Sequence, residues 1–328
     1  MKRRELLAIG LGALMANGLS AAARGAGSSW LVNPDRDAAF IFDENRQFLS
    51  TKFGRIAYID RGVGAVVLFL HGFPLNGFQW RGVIDELVPQ RRCIAPDLMG
   101  LGYSEVAVEQ DVSPSTQVEM LVSFLDALGI DQVDLVANDS GGAIAQLFLV
   151  NHQKRVRTLL LTNCDVETQS PPPAVLPIIE LARLDVYANL LLVPWADYKD
   201  QARSLSGLGG ICYSNPAHPS DVALEEYLRP LIASERRKTL VQRYALALTP
   251  NPLSGITPLL RRCEVPTRIV WGMADTIFSP QNADYLAAVL PRVTGIRRIK
   301  HAKLFFPEEY PDIVAQEARN LWNLSGEM

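Results

Sequence analysis

Cysteine and histidine are both scarce in this chain, which has four of each among 328 residues. The cysteines are widely scattered, and their spacing matches neither a disulfide framework nor a metal-binding motif. We therefore expect buried free thiols and no metal site. The four cysteines are Cys93, Cys164, Cys212 and Cys263.

The chain also lacks a strong charge bias, internal repeats and low-complexity segments. Its formal net charge is -3, and no basic cluster favours nucleic acid as a partner. Hydrophobic residues make up 48% and charged residues 20% of the chain. This composition is typical of a globular protein with a large core, and it does not determine the oligomeric state.

Residues 1–26 differ from the rest of the chain and have the features of an export signal. Three basic residues, Lys2–Arg4, precede an apolar run over Leu6–Leu19, and small residues follow. The apolar run is too short to span a bilayer comfortably. The paired arginines resemble a bacterial twin-arginine signal. We therefore expect a periplasmic or secreted protein that keeps no stable membrane anchor after cleavage of the signal.

Residues 133–150 combine a short apolar run with a run of helix-forming residues, separated by Asn-Asp-Ser-Gly-Gly. A strand that turns directly into a helix, with small residues around one polar side chain, is the nucleophile-elbow arrangement. Glycine is needed there because the backbones of strand and helix approach closely. The residue at the tip of this turn decides the chemistry.

Two residues could occupy the tip. With Asp139 at the tip, the residues two before and two after it are the small Ala137 and Gly141. With Ser140 at the tip, Asn138 would occupy a crowded position that favours a small side chain. The first register is favoured, and Ser140 stays open as an alternative nucleophile.

Aligned on Asp139, this stretch is similar to the serine form G-H-S-x-G-G, with aspartate in the serine's place. It resembles the α/β-hydrolase superfamily, and within it the aspartate-nucleophile branch of haloalkane dehalogenases and epoxide hydrolases. The resemblance implies an α/β fold with a mostly parallel eight-stranded sheet, flanking helices and an inserted helical cap. It also implies a covalent ester on Asp139, a small apolar substrate of the epoxide or haloalkane type, and no cofactor.

Two loops strengthen the resemblance. His-Gly-Phe-Pro at residues 71–74 is similar to the oxyanion loop of the superfamily, and the P-D-x-x-G-x-G-x-S pattern at residues 96–104 is also typical of it. The resemblance implies that the backbone N–H groups of Phe73 and Ser140 together hold developing negative charge. His71 is expected to orient its loop.

The alternation of strands and helices breaks near residue 168, where a run of three prolines follows. Residues 168–252 are helical in tendency and rich in Tyr, Trp and Pro, which resembles the cap that shapes an apolar pocket. Its candidate pocket residues are Tyr187, Trp195, Tyr198, Tyr213, Tyr227 and Tyr244. The predicted domains are the export signal at 1–26, the core at 27–167 and 253–328, and the cap at 168–252. Within the first part of the core, residues 30–50 are predicted to be a loosely structured lead-in.

Two aspartates are candidates for the acid that supports a catalytic histidine. Asp275 belongs to a W-G-x-x-D pattern after a predicted strand at Thr267–Trp271 and resembles the charge-relay acid of the superfamily. Such an acid would hold a histidine in the correct tautomer and stabilise its charged form. Asp165, after the preceding strand, is a second candidate because some relatives place the acid there.

The expected histidine base does not align with a histidine. Relatives read G-A-G-H-F and then E-x-P, and alignment on Glu-Glu-x-Pro places Leu304 at the histidine position. His301 lies three residues earlier and is a candidate base if the loop shifts. Release of an ester from Asp139 requires activated water, and a base contributes about 10²- to 10⁴-fold to such a step. A chain without this base would stall as a covalent adduct.

Three functions remain open at this point. Ser140 and Phe73 stand where haloalkane dehalogenases place halide-binding Trp and Asn or Trp, which weakens the case for dehalogenation. The HGFP motif is common in epoxide hydrolases, in which two cap tyrosines protonate the opening oxygen. The alternatives are a serine esterase-like hydrolase that uses Ser140 and an exported non-catalytic binding protein with Leu304 in place of the base.

Overall fold

The computed structural model describes residues 34–323, so the predicted export signal at residues 1–26 lies outside the described residues. Eight strands form a single sheet in the described part of the chain. They are β1 Arg46–Thr51, β2 Gly54–Arg61, β3 Val66–Leu70, β4 Arg92–Pro96, β5 Val133–Asp139, β6 Val156–Cys164, β7 Thr267–Gly272 and β8 Val293–Ile299.

The order of the strands in the sheet is β1-β2-β4-β3-β5-β6-β7-β8. The pairings of β2 with β1 and with β4 are antiparallel, and the other five pairings are parallel. The central strands β3 and β5 are buried along their whole length. Their continuous apolar sequences fit strands that helices cover on both faces. The predicted mostly parallel, eight-stranded α/β fold is confirmed.

Helices occupy most connections between the strands. The α-helices of the described residues are α1 Pro34–Asn45, α2 Arg81–Leu87, α3 Pro114–Ala127, α4 Ser140–Asn151, α5 Leu176–Arg183, α6 Val193–Asp197, α7 Lys199–Ala202, α8 Leu208–Cys212, α9 Asp221–Ile232, α10 Glu235–Ala247, α11 Thr257–Leu260, α12 Gln281–Val289, α13 Phe306–Glu309 and α14 Pro311–Leu321. The helix α4 follows β5 without a loop and packs against β5 and β6.

The connection between β6 and β7 consists of helices and loops. Residues 165–266 are all described, and they add no strand to the sheet. Helices α5 to α10 lie within the region predicted as a cap, residues 168–252. The division of the chain into a core and a cap domain at these boundaries stays a prediction.

The prediction of a loosely structured lead-in over residues 30–50 is wrong for the described part of that range, which forms α1 and β1. The strand β1 pairs with β2 along its length, beginning with Arg46 opposite Ile59. Backbone hydrogen bonds hold this edge strand, and Phe48 within it is 39% exposed, so its sequence carries little apolar alternation. In α1, Phe42 is buried.

The core bears out the prediction of buried free thiols. All four cysteines are buried and free. Trp80 is fully buried and packs on Phe69, with 5.4 Å between the ring centroids. Within residues 34–323, no helix combines the length and the apolar character that a membrane span requires.

Candidate active site

Asp139 occupies the tip of the turn between β5 and α4. Its φ is 56° and its ψ is −134°, a conformation that non-glycine residues rarely adopt and that is strained. A Cβ atom on Gly141 would lie 2.6 Å from the backbone oxygens of Leu70 and His71, so this position requires glycine. The strained turn is therefore centred on Asp139, and Ser140 is the first residue of the helix.

The backbone N–H groups of Phe73 and Ser140 both point at the Asp139 carboxylate. The Phe73 N–H donates to Oδ2 at 3.2 Å and the Ser140 N–H donates to Oδ1 at 2.5 Å. These are the two groups predicted to form the oxyanion hole. The Ser140 hydroxyl lies 3.0 Å from the hydroxyl of Tyr244. Ser140 therefore directs its backbone toward Asp139 and its side chain toward a tyrosine.

Asp139 faces a cavity of about 160 Å³. The loop after β3 and the helices between β6 and β7 supply most of its wall, which is largely apolar. Two of the six aromatic residues predicted for the pocket, Tyr187 and Trp195, line it. The other residues with side chains on this wall include Phe73, Ile178, Leu208, Ile211, Leu248, Ile277, Phe278 and Leu304.

The other four predicted aromatic residues lie elsewhere. Tyr244 stacks on Phe73, with 5.4 Å between ring centroids, but it does not line the cavity. Tyr213 and Tyr227 are buried and donate hydrogen bonds to the carboxylate of Glu308. Tyr198 is 64% exposed. Sequence composition therefore identified the aromatic segment but not which of its rings would face the site.

The hydroxyl of Tyr187 is buried and has no hydrogen-bond partner within the described residues. Its ring lies 5.8 Å from that of Phe73. Burial raises the pKa of this phenol, so it keeps its proton near neutral pH. Tyr187 therefore lines the cavity with a protonated phenol whose hydrogen bonding is not satisfied by the described residues.

Asp275 lies directly beyond β7 and is held by neutral donors. Its Oδ2 accepts a hydrogen bond from the Asn163 side chain at 2.7 Å, and its Oδ1 accepts from the Ile277 N–H at 2.8 Å. Burial raises its pKa to about 6, and these hydrogen bonds oppose the rise. No histidine is among its partners in the described structure, and it does not line the cavity.

Leu304 lines the cavity at the position predicted for the histidine base, and it is 1% exposed. His301 is exposed on the turn after β8, where its carbonyl accepts a hydrogen bond from the Ser214 hydroxyl. The chain has four histidines, all within the described residues, and none of them lines the cavity. The structure brings Asp139, Phe73 and Ser140 together but does not bring His301 to them.

His71 connects two loops behind the site. Its Nε2 accepts a hydrogen bond of 2.9 Å from the Leu98 N–H, and its Nδ1 lies 2.9 Å from the carbonyl oxygen of Gly72. Burial lowers its pKa, which favours the neutral ring that these two contacts require. These contacts fit the expected orienting role of His71.

Two buried carboxyl groups face the cavity, Asp139 and Asp165. Burial raises the pKa of Asp139 well above its usual range, and the negative charge of Asp165 raises it further. The N–H groups of Ser140 and Phe73 act in the opposite direction. Burial raises the pKa of Asp165 to about 7. The two carboxyl groups are therefore coupled, and their charge near neutral pH depends on both.

Sequence reasoning missed two buried asparagines that organise the site. Asn138 donates hydrogen bonds to the Thr162 hydroxyl and to the backbone oxygens of Asn163 and Leu304. Asn163 in turn donates to Asp275. Asn138 and Asn163 are polar residues near the ends of neighbouring apolar strands, and that position in the sequence could have identified them.

Within the described residues, no group of three or more His, Cys, Asp or Glu side chains could hold a metal ion.

The fold and the site define the class of protein. The sheet order, the strained turn between β5 and α4 and the two N–H groups at its tip form an α/β-hydrolase scaffold with its nucleophile elbow. The family model for the alpha/beta hydrolase fold matches residues 65–191. The family match and the relatives support a member of the α/β-hydrolase superfamily, as predicted for a hydrolase of this superfamily.

Two curated relatives and one solved structure show what this chain is similar to in more detail. Haloalkane dehalogenase 2 of Mycobacterium tuberculosis is 28% identical over 289 residues, which are 83% of this chain and 92% of the dehalogenase. The soluble epoxide hydrolase of a Corynebacterium species is 37% identical over 109 residues, 33% of this chain and 37% of its own. The solved structure of the epoxide hydrolase CorEH has a TM-score of 0.70 and 21% identity, and it covers 85% of this chain and 98% of that one. The first similarity extends over most of both chains.

Proposed function

We propose that this protein hydrolyses a small apolar epoxide through a covalent ester on Asp139. The observation that carries the proposal is the position of Asp139, whose carboxylate lies at the strained elbow and faces a mostly apolar cavity of about 160 Å³. A desolvated carboxylate has lost the water that would otherwise weaken it as a nucleophile. The cavity can take a small molecule with an electrophilic carbon.

The first step follows from the groups that face the cavity. One Asp139 oxygen attacks an epoxide carbon, the C–O bond of the ring breaks, and the released oxygen takes the proton of the Tyr187 hydroxyl. The Phe73 N–H donates to one Asp139 oxygen and the Ser140 N–H to the other, so the oxygen that becomes the ester carbonyl keeps one of these donors, which can stabilise the later oxyanion. Tyr187 supports an epoxide over a haloalkane, because a departing halide needs no proton.

The side chains beside the nucleophile also favour an epoxide. The phenyl ring of Phe73 has no N–H donor, and the Ser140 hydroxyl already contacts Tyr244. Neither side chain offers a departing halide the indole or amide N–H that dehalogenation would use. The relatives named as haloalkane dehalogenases and as epoxide hydrolases support a hydrolase of this type.

The experiment is a single-turnover reaction with a small apolar 1,2-epoxyalkane in ¹⁸O-labelled water. Attack by Asp139 predicts a diol without the label and an Asp139-containing peptide with it, because water attacks the ester carbonyl. The Asp139→Asn and Asp139→Ala variants should form neither diol nor adduct, whereas Asp131→Asn, an exposed control, should react like the wild type. Label in the first diol would contradict the covalent route.

A non-catalytic binding protein is the second candidate function, and Leu304 in place of a histidine favours it. Such a protein would bind the epoxide without reacting with it. Thermal stabilisation by the same 1,2-epoxyalkane, with no diol and no mass adduct on wild-type protein, would select this candidate and reject the hydrolase.

A further inference from the structure

Asp165 lies beside Asp139 on the neighbouring strand of the sheet. Cys164, the last residue of β6, pairs with Asp139, and Asp165 follows it directly. The side chains of both aspartates line the same cavity, and the two residues are only 5% and 8% exposed. This pair of carboxyl groups is the feature that the first step of the proposed reaction leaves unexplained.

The surroundings of Asp165 leave its carboxylate able to take a proton. The Ser170 side chain hydrogen bonds to it, and the Gln146 side chain donates to its backbone oxygen at 2.8 Å. No Lys or Arg of the described residues forms an ion pair with Asp165. With burial raising its pKa to about 7, the group exchanges a proton close to neutral pH, as a general base requires.

The other titratable groups on the cavity wall are unsuited to this task. Besides the two aspartates, these are Tyr187 and Cys212. Burial raises the pKa of both, so each holds a proton near neutral pH, and Tyr187 regains from solvent the proton that it gives up when the epoxide opens. Asp275 is already bound by Asn163 and does not line the cavity. Asp165 is therefore the available base beside the nucleophile.

We infer that Asp165 is the general base that releases the ester from Asp139, in place of the histidine missing at Leu304. The inference rests on the proposed function. Asp165 takes a proton from a water molecule, and the oxygen of that water bonds to the ester carbonyl carbon of Asp139. The backbone N–H group that donates to this carbonyl oxygen, from Phe73 or from Ser140, stabilises the oxyanion formed.

The intermediate then collapses with a balanced transfer of protons. The bond between the Asp139 carbonyl carbon and the product oxygen breaks, and Asp165 gives its proton to that oxygen, which leaves as the alcohol of a diol. Asp139 is left as a carboxylic acid and gives its proton to solvent, which balances the proton that Tyr187 took from solvent after the epoxide opened. The sum is epoxide plus water to diol, with no oxidant, reductant or other reactant.

The test compares Asp165→Asn with Asp165→Glu and with a control, Glu167→Gln, in the same loop but outside the cavity. With a 1,2-epoxyalkane, Asp165→Asn should form the Asp139 ester but hydrolyse it about 10²- to 10⁴-fold more slowly, so intact mass shows the adduct accumulating. Asp165→Glu keeps a carboxylate and should hydrolyse the adduct at least about tenfold faster than Asp165→Asn. Glu167→Gln should match the wild type.

A pH profile adds a readout that a merely structural role would not change. The titratable groups around Asp139 are Asp165, Asp275, Tyr187, Tyr244, Cys164 and Cys212. Of these, Asp165 contributes the largest negative charge effect. Loss of this charge in Asp165→Asn should move the midpoint of adduct formation to lower pH. The base role is tested by the second step: wild-type hydrolysis of the ester should speed up as the pH rises through about 7, and this dependence should be lost in Asp165→Asn.

The outcomes separate the two proposals. If the wild type forms the diol through Asp139 while Asp165→Asn releases the ester at the wild-type rate, the inference is overturned and the proposed function stands. The inference is also overturned if Asp165→Glu and a folded Asp165→Asn hydrolyse the Asp139 ester at equal rates. If wild type and every Asp165 variant form neither adduct nor diol, the proposed function itself fails.

Discussion

The backbone oxygen of Leu304 accepts a hydrogen bond of 3.1 Å from the side chain of Asn138, the residue directly before Asp139. This bond joins the loop after β8 to the elbow at the end of β5. It keeps Leu304 against the cavity that Asp139 faces, at the position predicted from the sequence for a histidine base. The loop therefore presents position 304 to the cavity, where a base could act, but the side chain at that position is the apolar Leu304.

A histidine introduced at position 304 should supply the absent base. In the Asp165→Asn background, Leu304→His is expected to speed hydrolysis of the Asp139 ester by at least about tenfold, because general bases contribute about 10²- to 10⁴-fold. Leu304→Met, which keeps an apolar side chain of similar volume, is the matched control and should give no gain. Decay of the adduct followed by intact mass provides the measurement. Equal decay in both variants would show that position 304 does not reach the ester.

His301 should be dispensable for catalysis. His301→Ala is expected to change the rates of adduct formation and diol release by less than about twofold, because the side chain is exposed and outside the cavity. Stopped reactions with the epoxide measure both rates. A loss of about tenfold or more would mean that the loop after β8 shifts and carries the ring to the site.

Removal of the Tyr187 hydroxyl should slow opening of an epoxide but not alkylation by a haloalkane. Tyr187→Phe keeps the ring against Phe73 and deletes the proton donor, so formation of the Asp139 ester from an epoxide should fall by about 10²-fold or more. Ester formation from a matched bromoalkane should stay within about threefold of its wild-type rate, because no proton is transferred to halide. Tyr198→Phe, on the surface, is the control. Equal slowing with both reagents would indicate a packing effect instead.

Asp165 should make the folded protein less stable as the pH rises. Its pKa is raised from 3.8 to about 7, and a carboxyl group of this kind contributes most stability below its unfolded pKa and loses that contribution as pH rises through the folded pKa. The Tm of Asp165→Asn minus that of the wild type should therefore increase between about pH 4 and about pH 7, by about 2 °C or more.

The control for this pH series is Asp111→Asn. The Thr116 hydroxyl lowers the pKa of Asp111, so its contribution to stability has the opposite dependence on pH and is lost as the pH falls. The effect should be small, since the group is largely exposed and solvent screens it. A Tm difference for Asp165→Asn that stays constant with pH would contradict burial of an ionisable carboxyl group there.

Local sequence patterns were sufficient to predict the buried parallel strands and the elbow. Continuous apolar runs such as β3 and β5 predict strands buried in a parallel sheet, since the side-chain pattern reflects burial on both faces. The elbow could also be predicted from the sequence, because only small residues fit where Gly141 approaches the backbone of Leu70. The edge strand β1 was missed because hydrogen bonds to β2, rather than its own apolar residues, hold it in place.

The sequence by itself therefore determined the parallel sheet, the elbow and the absence of a histidine at position 304, and it favoured Asp139 over Ser140 at the tip of the elbow. Only the tertiary structure decided which distant groups meet that elbow. It places Asp165 and Tyr187 on the cavity wall and leaves His301 exposed. The physical reason is that strand neighbours and helix orientations, set by packing over the whole chain, bring these side chains to the site, and spacing along the sequence does not record those directions.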